Sequence, residues 1–198
     1  MTYGIAGDRD GNGWWTGVND DIIVYSDATG KAHEIQLPPM PPAEYVKPGD
    51  FAEGEEIPQP GIGGKQSPRR PIADLNGTAV WVPNFFGNTL LRIDTQTKEL
   101  KYYPVPYPAM NPYEAAVDSQ HQVWVTFQNC DEMGWFDPDT ESWTMYSWPT
   151  KGMAQRQNHM VERNGVLQFT SASGASHRVG RMVIRSEREI QALRDRVR

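Results

Sequence analysis

One short pattern recurs along this chain and limits what it can fold into. It reads Gly13-Trp14-Trp15-Thr16, then Val80-Trp81-Val82-Pro83, then Val123-Trp124-Val125-Thr126, then Leu167-Gln168-Phe169-Thr170. The key positions are 14, 81, 124 and 168, so the gaps are 67, 43 and 44 residues. Each of the first three patterns is preceded, eleven residues earlier, by a group starting at Tyr3, Arg70 or Tyr113. Each is followed by a strand and an Asp turn at Asp27, Asp94 or Asp137, then by an alternating strand ending in Pro38, Pro106 or Pro149. Four strands of four to seven residues separated by Asp-Gly, Asn-Gly and Asp-Pro turns, at a period in the low forties, are the mark of a propeller blade. A two-sheet sandwich is the alternative, but it does not need matching aromatics at a fixed period.

The expected fold class is therefore all-β: β-propeller blades of four antiparallel strands, about four repeats, with a short C-terminal helix. Blades are expected at about 1–38, 70–107, 111–149 and 157–185. The fourth keeps its middle (Val179-Gly180-Arg181-Met182) and loses its ending. Residues 39–69 hold the excess length of the first gap. They are too rich in Pro and Gly for regular strands and read as a long inter-blade loop. Ser186 with Glu189 forms a capping box for a helix over 186–198, with Ile190, Leu193 and Val197 on one face. That face is expected to cover one exposed end of the blade array. Open ends and bare apolar faces invite association, so a homo-oligomer, or pairing with missing propeller blades, is expected.

Charge and composition narrow the function classes. The net charge of −6 gives no general attraction to nucleic acid or to an anionic membrane. No apolar run approaches the roughly 20 residues of a spanning helix. Cys130 is the single cysteine, so no internal disulfide forms. It is expected to be an inert, partly buried thiol. The first residues lack the basic and apolar regions of a signal peptide and read as a strand already in progress, as in a fragment.

Taken together, Asp10-Gly11-Asn12, Arg92-Ile93-Asp94 and Tyr103-Pro104-Val105-Pro106 resemble the repeat of the virginiamycin B (streptogramin B) lyase family. The resemblance covers nearly the whole chain apart from residues 39–70 and the tail. It implies a seven-bladed parent and allows a periplasmic or secreted one. It also implies a carbon–oxygen lyase that opens a cyclic depsipeptide by elimination, with a general base and magnesium (Mg2+) at one mouth of the central channel. The family's histidines and glutamates come from the residue before Gly-Ile and from the residues after Trp-Phe-Thr. Here the first place holds Tyr3, Arg70, Tyr113 and either Asn158 or His159. The second holds Gly17, Asn84, Phe127 and Ser171. Only His159 is a candidate catalytic residue.

The residues themselves suggest binding rather than lyase chemistry. Tyr3, Arg70 and Tyr113, with the polar-aromatic loops Asn84-Phe85-Phe86-Gly87-Asn88 and Phe127-Gln128-Asn129-Cys130-Asp131, are expected to ring one mouth. His177, in a flexible loop, is expected within reach of a ligand. Stacking surfaces and amides suit a small polar organic ligand or a protein partner. The expected ligand-binding set is Tyr3, Arg70, Asn84, Tyr113, Gln128 and His177, on a scaffold that is part of a larger propeller or multidomain protein. The alternative is a metal-dependent lyase or lactonase-like enzyme working through His159. Asp8, Asp10 and Asn12 have the spacing of a calcium loop, but position twelve is Asn19 where a glutamate belongs, and a tight turn is the preferred reading. His121 reads as an exposed turn residue. No cofactor is called for outside the lyase alternative.

Overall fold

The computed structural model describes residues 2–38 and 65–197, and most of the 39–69 segment, including its acidic residues, lies outside them. Among the described residues fifteen strands form three four-stranded antiparallel sheets and one three-stranded sheet. Blade 1 is β1 (Thr2–Gly7), β2 (Gly13–Gly17), β3 (Ile22–Ser26) and β4 (Ala32–Gln36). Blade 2 is β5 (Ile72–Ala73), β6 (Ala79–Asn84), β7 (Thr89–Asp94) and β8 (Leu100–Pro104). Blade 3 is β9 (Pro112–Val117), β10 (Val123–Phe127), β11 (Glu132–Asp137) and β12 (Ser142–Ser147). Blade 4 is β13 (Gln155–Arg163), β14 (Val166–Ser173) and β15 (Val179–Val183), with no closing strand among the described residues, as its sequence foretold. Each sheet pairs in chain order, and successive inner strands β1, β5, β9 and β13 contact one another. These are the expected propeller blades.

Strand alternation explains the repeat. In register, Trp14 pairs with Ala6 and Tyr25, Trp81 with Ile72 and Arg92, and Trp124 with Ala116 and Trp135. All three are buried and lie on the side of their blade that meets the next one. Trp14 packs with Val80, Val82 and Leu91; Trp81 meets Phe136; Trp124 meets Phe169 at 4.5 Å between ring centres. A flat ring of this size fills the wedge between two twisted sheets, so the aromatic recurs wherever a blade has a successor. The fourth blade carries Gln168 at this position, half-buried and accepting a 2.5 Å hydrogen bond from Arg181.

The two ends of the array therefore differ. The outward side of blade 1 carries the cross-strand row Ile5, Trp15 and Val24, with Ile5 77% exposed. The outward side of blade 4 carries Gln168, Thr170 and Arg181. The blade 4 end is the more mixed of the two: Gln168 stands between Val161 and Val183, and Val179, opposite Ala172, is 72% exposed. The tail helix α1 (Glu187–Val197) has its capping box, with the Ser186 amide donating to Glu189 Oε2 at 2.9 Å and the Glu189 amide to Ser186 Oγ at 3.3 Å. It does not cover an end, because Ile190 and Leu193 stay 39% and 41% exposed. Its helicity rests on local capping and charge, not on burial. Among the described residues no helix is long and apolar enough to cross a membrane.

An aspartate organises the turn after the inner strand in each of the first three blades. Asp8 accepts from the amides of Asp10 and Asn12, the Asn12 side chain and the Trp14 indole, at 2.8–3.0 Å. Burial alone would push this carboxyl up, but those hydrogen bonds hold it below the usual range. Both oxygens of Asp8 are thus engaged within its own turn, and Asp10 is exposed beside Arg9. The calcium-loop spacing of Asp8, Asp10 and Asn12 is the spacing of a turn. Asp118 repeats the device, accepting from the Gln120 and Gln122 amides at 3.0 Å and the Trp124 indole at 2.9 Å. Replacing Asp118 with Ala strands these donors, so urea denaturation is expected to show a loss of roughly 1–3 kcal/mol, against no measurable change for Asp10→Ala. In blade 2 the turn is one residue longer. There Asp74 bonds Asn76, Gly77 and, at 2.6 Å, His121 Nδ1 of the next blade. The Trp81 indole N–H then has no partner among the described residues. His121 is exposed, as read, yet it also ties two blades together.

Candidate functional site

The threonine of the Trp-x-Thr motif anchors the start of the inner strand. Thr16 accepts from the Gly4 amide at 3.3 Å and donates to the Arg69 carbonyl at 2.6 Å. Gly4 lies so close to the 69–71 backbone that a Cβ there would sit 2.5 Å from Pro71 Cδ and 2.6 Å from Arg70 Cα. Only glycine permits this approach. The stretch leading to Arg69 is built in from both sides. The Gln66 amide donates to Asp21 at 2.7 Å, the Ser67 amide to the Asp20 carbonyl at 2.9 Å, and the Phe86 amide to the Gln66 carbonyl at 2.9 Å. Proline at 68 and 71 breaks the ladder, so β5 is short and residues 68 and 70 make isolated bridges to Asn84 and Glu114.

This construction gathers side chains where the inner strands begin, at the mouth of the array. Tyr3 and Tyr113 meet edge to face at 6.0 Å, and the Arg70 guanidinium lies 5.7 and 5.6 Å from their ring centres. These three expected residues are brought together. Phe85 joins them at 5.7 Å from Tyr113. At the centre is Arg69, only 8% exposed, with its guanidinium 4.3 Å from the Phe85 ring, 4.8 Å from Tyr3 and 5.7 Å from Tyr113. Among the described residues its Nε has no hydrogen-bond partner and no carboxylate forms an ion pair with it. Burial lowers its proton affinity, Tyr3 raises it, and the like charge of Arg156 lowers it further, yet a guanidinium stays charged throughout.

Glu114 is the acid of the mouth. It lies 3.7 Å from Arg70 and accepts from the Asn158 amide at 2.6 Å. Burial pushes its carboxyl up, against the opposing pull of that amide and of Arg70. With Asn158 and His159 it also lines a groove of about 440 Å³ along the inner strands.

Other expected residues lie elsewhere. Asn84 is fully buried and donates to Gln66 Oε1 at 2.8 Å and Thr89 Oγ1 at 3.2 Å, so it braces the linker and does not face a ligand. Gln128 is tied through its backbone amide to the Asn111 carbonyl. His177 is exposed in the β14–β15 connection with φ at 53°. His159 is exposed on β13, in register with Thr170 of β14. None of these last three makes a ring, ion-pair or hydrogen-bond contact with Tyr3, Arg69, Arg70 or Tyr113 among the described residues. Cys130 is half-buried, and burial first, then the charges of Glu132 and Asp131, push its thiol up to about 11, which keeps it unreactive near neutrality. Among the described residues no three His, Cys, Asp or Glu side chains gather to hold a metal.

Arg69 is the residue at the centre of the mouth that sequence reasoning missed. The available signal was the doublet Arg69-Arg70 ahead of Pro71. Alignment on Gly-Ile selected Arg70, and the neighbour on the other side of the chain was assigned to the loop.

Comparison with known proteins places this geometry. No protein-family model and no curated protein matches the chain. Solved structures do. Virginiamycin B lyase from Staphylococcus aureus is similar at 18% identity and a TM-score of 0.68, over 92% of this chain and 54% of that one. A catalytically inactive form of the S. aureus enzyme with quinupristin is similar at 20% identity and a TM-score of 0.65, over 94% and 56%. The extracellular domain of a one-component system from B. thetaiotaomicron is similar at 15% identity and a TM-score of 0.51, over 92% of this chain and 23% of that one. The chain thus spans about half the length of the lyases it resembles. The likeness that its repeat suggested is present in three dimensions: this chain is a divergent set of β-propeller blades with the fold of the virginiamycin B lyases.

Proposed function

We propose that this chain is a ligand-binding propeller module that takes a small polar organic molecule at the mouth formed by Arg69, Arg70, Tyr3, Tyr113 and Phe85. The observation that carries this reading is Arg69, a buried cation without a carboxylate partner among the described residues. Desolvating a charge without pairing it costs several kcal/mol. Four nearby aromatic rings offset part of that cost, at roughly 0.5–2 kcal/mol each for a desolvated contact. They leave its N–H donors without acceptors among the described residues, and a bound ligand supplies what is missing.

Binding is favoured over elimination chemistry by the titratable groups at the mouth. A general base needs a free lone pair aimed at the substrate proton. Glu114 is engaged by Arg70 and the Asn158 amide, and His159 lies on the exposed strand beside Thr170.

A ligand-observed NMR screen of small polar organics tests the proposal. Hits are expected to perturb Tyr3 and Tyr113 resonances, and Arg69→Gln is expected to weaken them at least tenfold, about 1.4 kcal/mol. Hits that map away from the mouth, or that are indifferent to Arg69→Gln in a folded protein, would sink it.

A further inference from the structure

We propose that the group recognised at this mouth is an anion, an organic carboxylate seated against Arg69 and Arg70. The inference rests on the mouth being a binding site and adds the chemical class of its ligand.

Local charge runs opposite to the whole molecule. The chain carries −6 overall, yet Arg69 and Arg70 adjoin at the mouth and a third arginine, Arg156, acts electrostatically on Arg69. Arg156 reaches this end from the start of β13, with its Nε 3.4 Å from where a Gly174 Cβ would be. The one acid placed among them, Glu114, is 3.7 Å from Arg70 and also receives the Asn158 amide. Among the described residues three positive charges face one negative charge, so a ligand of charge −1 or −2 balances the site and a neutral one does not.

Donor count points the same way. A guanidinium offers five N–H groups in a planar fork that matches the two oxygens of a carboxylate. Arg69 makes no hydrogen bond through its side chain among the described residues, and only its Nε is fully enclosed without a partner. Its terminal nitrogens are the donors left for a visitor. The surrounding faces of Phe85 and Tyr3 hold the guanidinium by cation–π attraction and fix its position before any ligand arrives. The Tyr3, Tyr113 and Phe85 rings give an organic body somewhere to rest, which distinguishes a carboxylate on a carbon skeleton from a bare oxyanion.

Calorimetric and NMR titration of the intact chain with benzoate, benzamide and inorganic phosphate separates the possibilities, since benzoate and benzamide share size and shape and differ in charge. Benzoate is expected to bind at least tenfold more tightly than benzamide at low ionic strength, to weaken as salt rises, and to shift Tyr3 and Tyr113. Arg69→Gln and Arg70→Gln are each expected to reduce that preference, with Arg69→Lys retaining part of it. Equal affinity for benzamide at the same residues overturns the anion inference and leaves the binding site standing. Phosphate matching benzoate overturns the organic-carboxylate class. A mouth that none of the three probes perturbs overturns both the inference and the binding reading. The benzoate–benzamide comparison is made on the unaltered protein, so it decides the matter even if a variant fails to fold.

Discussion

Trp124→Ala is expected to lower stability to urea by about 3–5 kcal/mol. The ring is 2% exposed and packed against Phe169 at 4.5 Å and Tyr146 at 5.5 Å. Its removal opens a cavity between blades 3 and 4 that the two sheets cannot close without moving apart. It also leaves Asp118 without the indole donor at 2.9 Å. A loss of this size is a large share of the 5–15 kcal/mol that holds an ordinary domain together. The matching control is Gln168→Ala, at the same repeat position in blade 4, which contacts no following blade among the described residues. That change is expected to fall within about 0.5 kcal/mol. Equal losses at the two positions would show that the tryptophan acts within its own sheet and not as filler between blades.

Gly4→Ala is expected to cost about 1–3 kcal/mol and to weaken ligand binding at the mouth at the same time. The new methyl would stand 2.5 Å from Pro71 Cδ, 2.6 Å from Arg70 Cα and 3.0 Å from the Arg69 carbonyl. None of those atoms is the free end of a flexible side chain, so blade 1 must separate from the 69–71 backbone. Arg69 and Arg70 would move with it. Gly7, on the same strand, has open space around its would-be Cβ. Gly7→Ala is expected to be neutral, or to stabilise by about 0.4–1 kcal/mol through the unfolded chain. Thermal unfolding and benzoate titration of the two variants check this. A Gly4→Ala protein as stable as wild type would mean that the inter-blade contact at the mouth is looser than the structure describes.

The blades were legible in the sequence because their cause is local and periodic. A strand buried on both faces between two sheets must be apolar throughout, as Val123-Trp124-Val125 is, and its turns must carry Asp, Asn or Gly. The same logic exposed the incomplete fourth blade, where Gln168 stands at the tryptophan position. The significance of that glutamine was missed, because whether a face has a neighbour is a property of the assembled array. The tail helix shows the same division. Its capping box is a four-residue matter and was read correctly, whereas the burial of Ile190 and Leu193 depended on a docking that does not occur.

The mouth divides in the same way. Alternation along the inner strands identified Tyr3, Arg70 and Tyr113, because each stands at a fixed offset from its tryptophan. Asn84, at the repeat position three residues after Trp81, turned inward, since Gln66 and Thr89 offer it buried partners that no spacing rule could reveal. Arg69 lay outside the rule altogether. Its place follows from Pro68 and Pro71 interrupting the ladder, from Ser67 at a φ of 55°, and from a glycine in the neighbouring blade that lets the two backbones nearly touch. Periodic burial, a property of each strand by itself, determined the propeller blades from the sequence. Which charge sits uncompensated at the mouth was decided only when separate blades met, because desolvation and pairing depend on every neighbour at once.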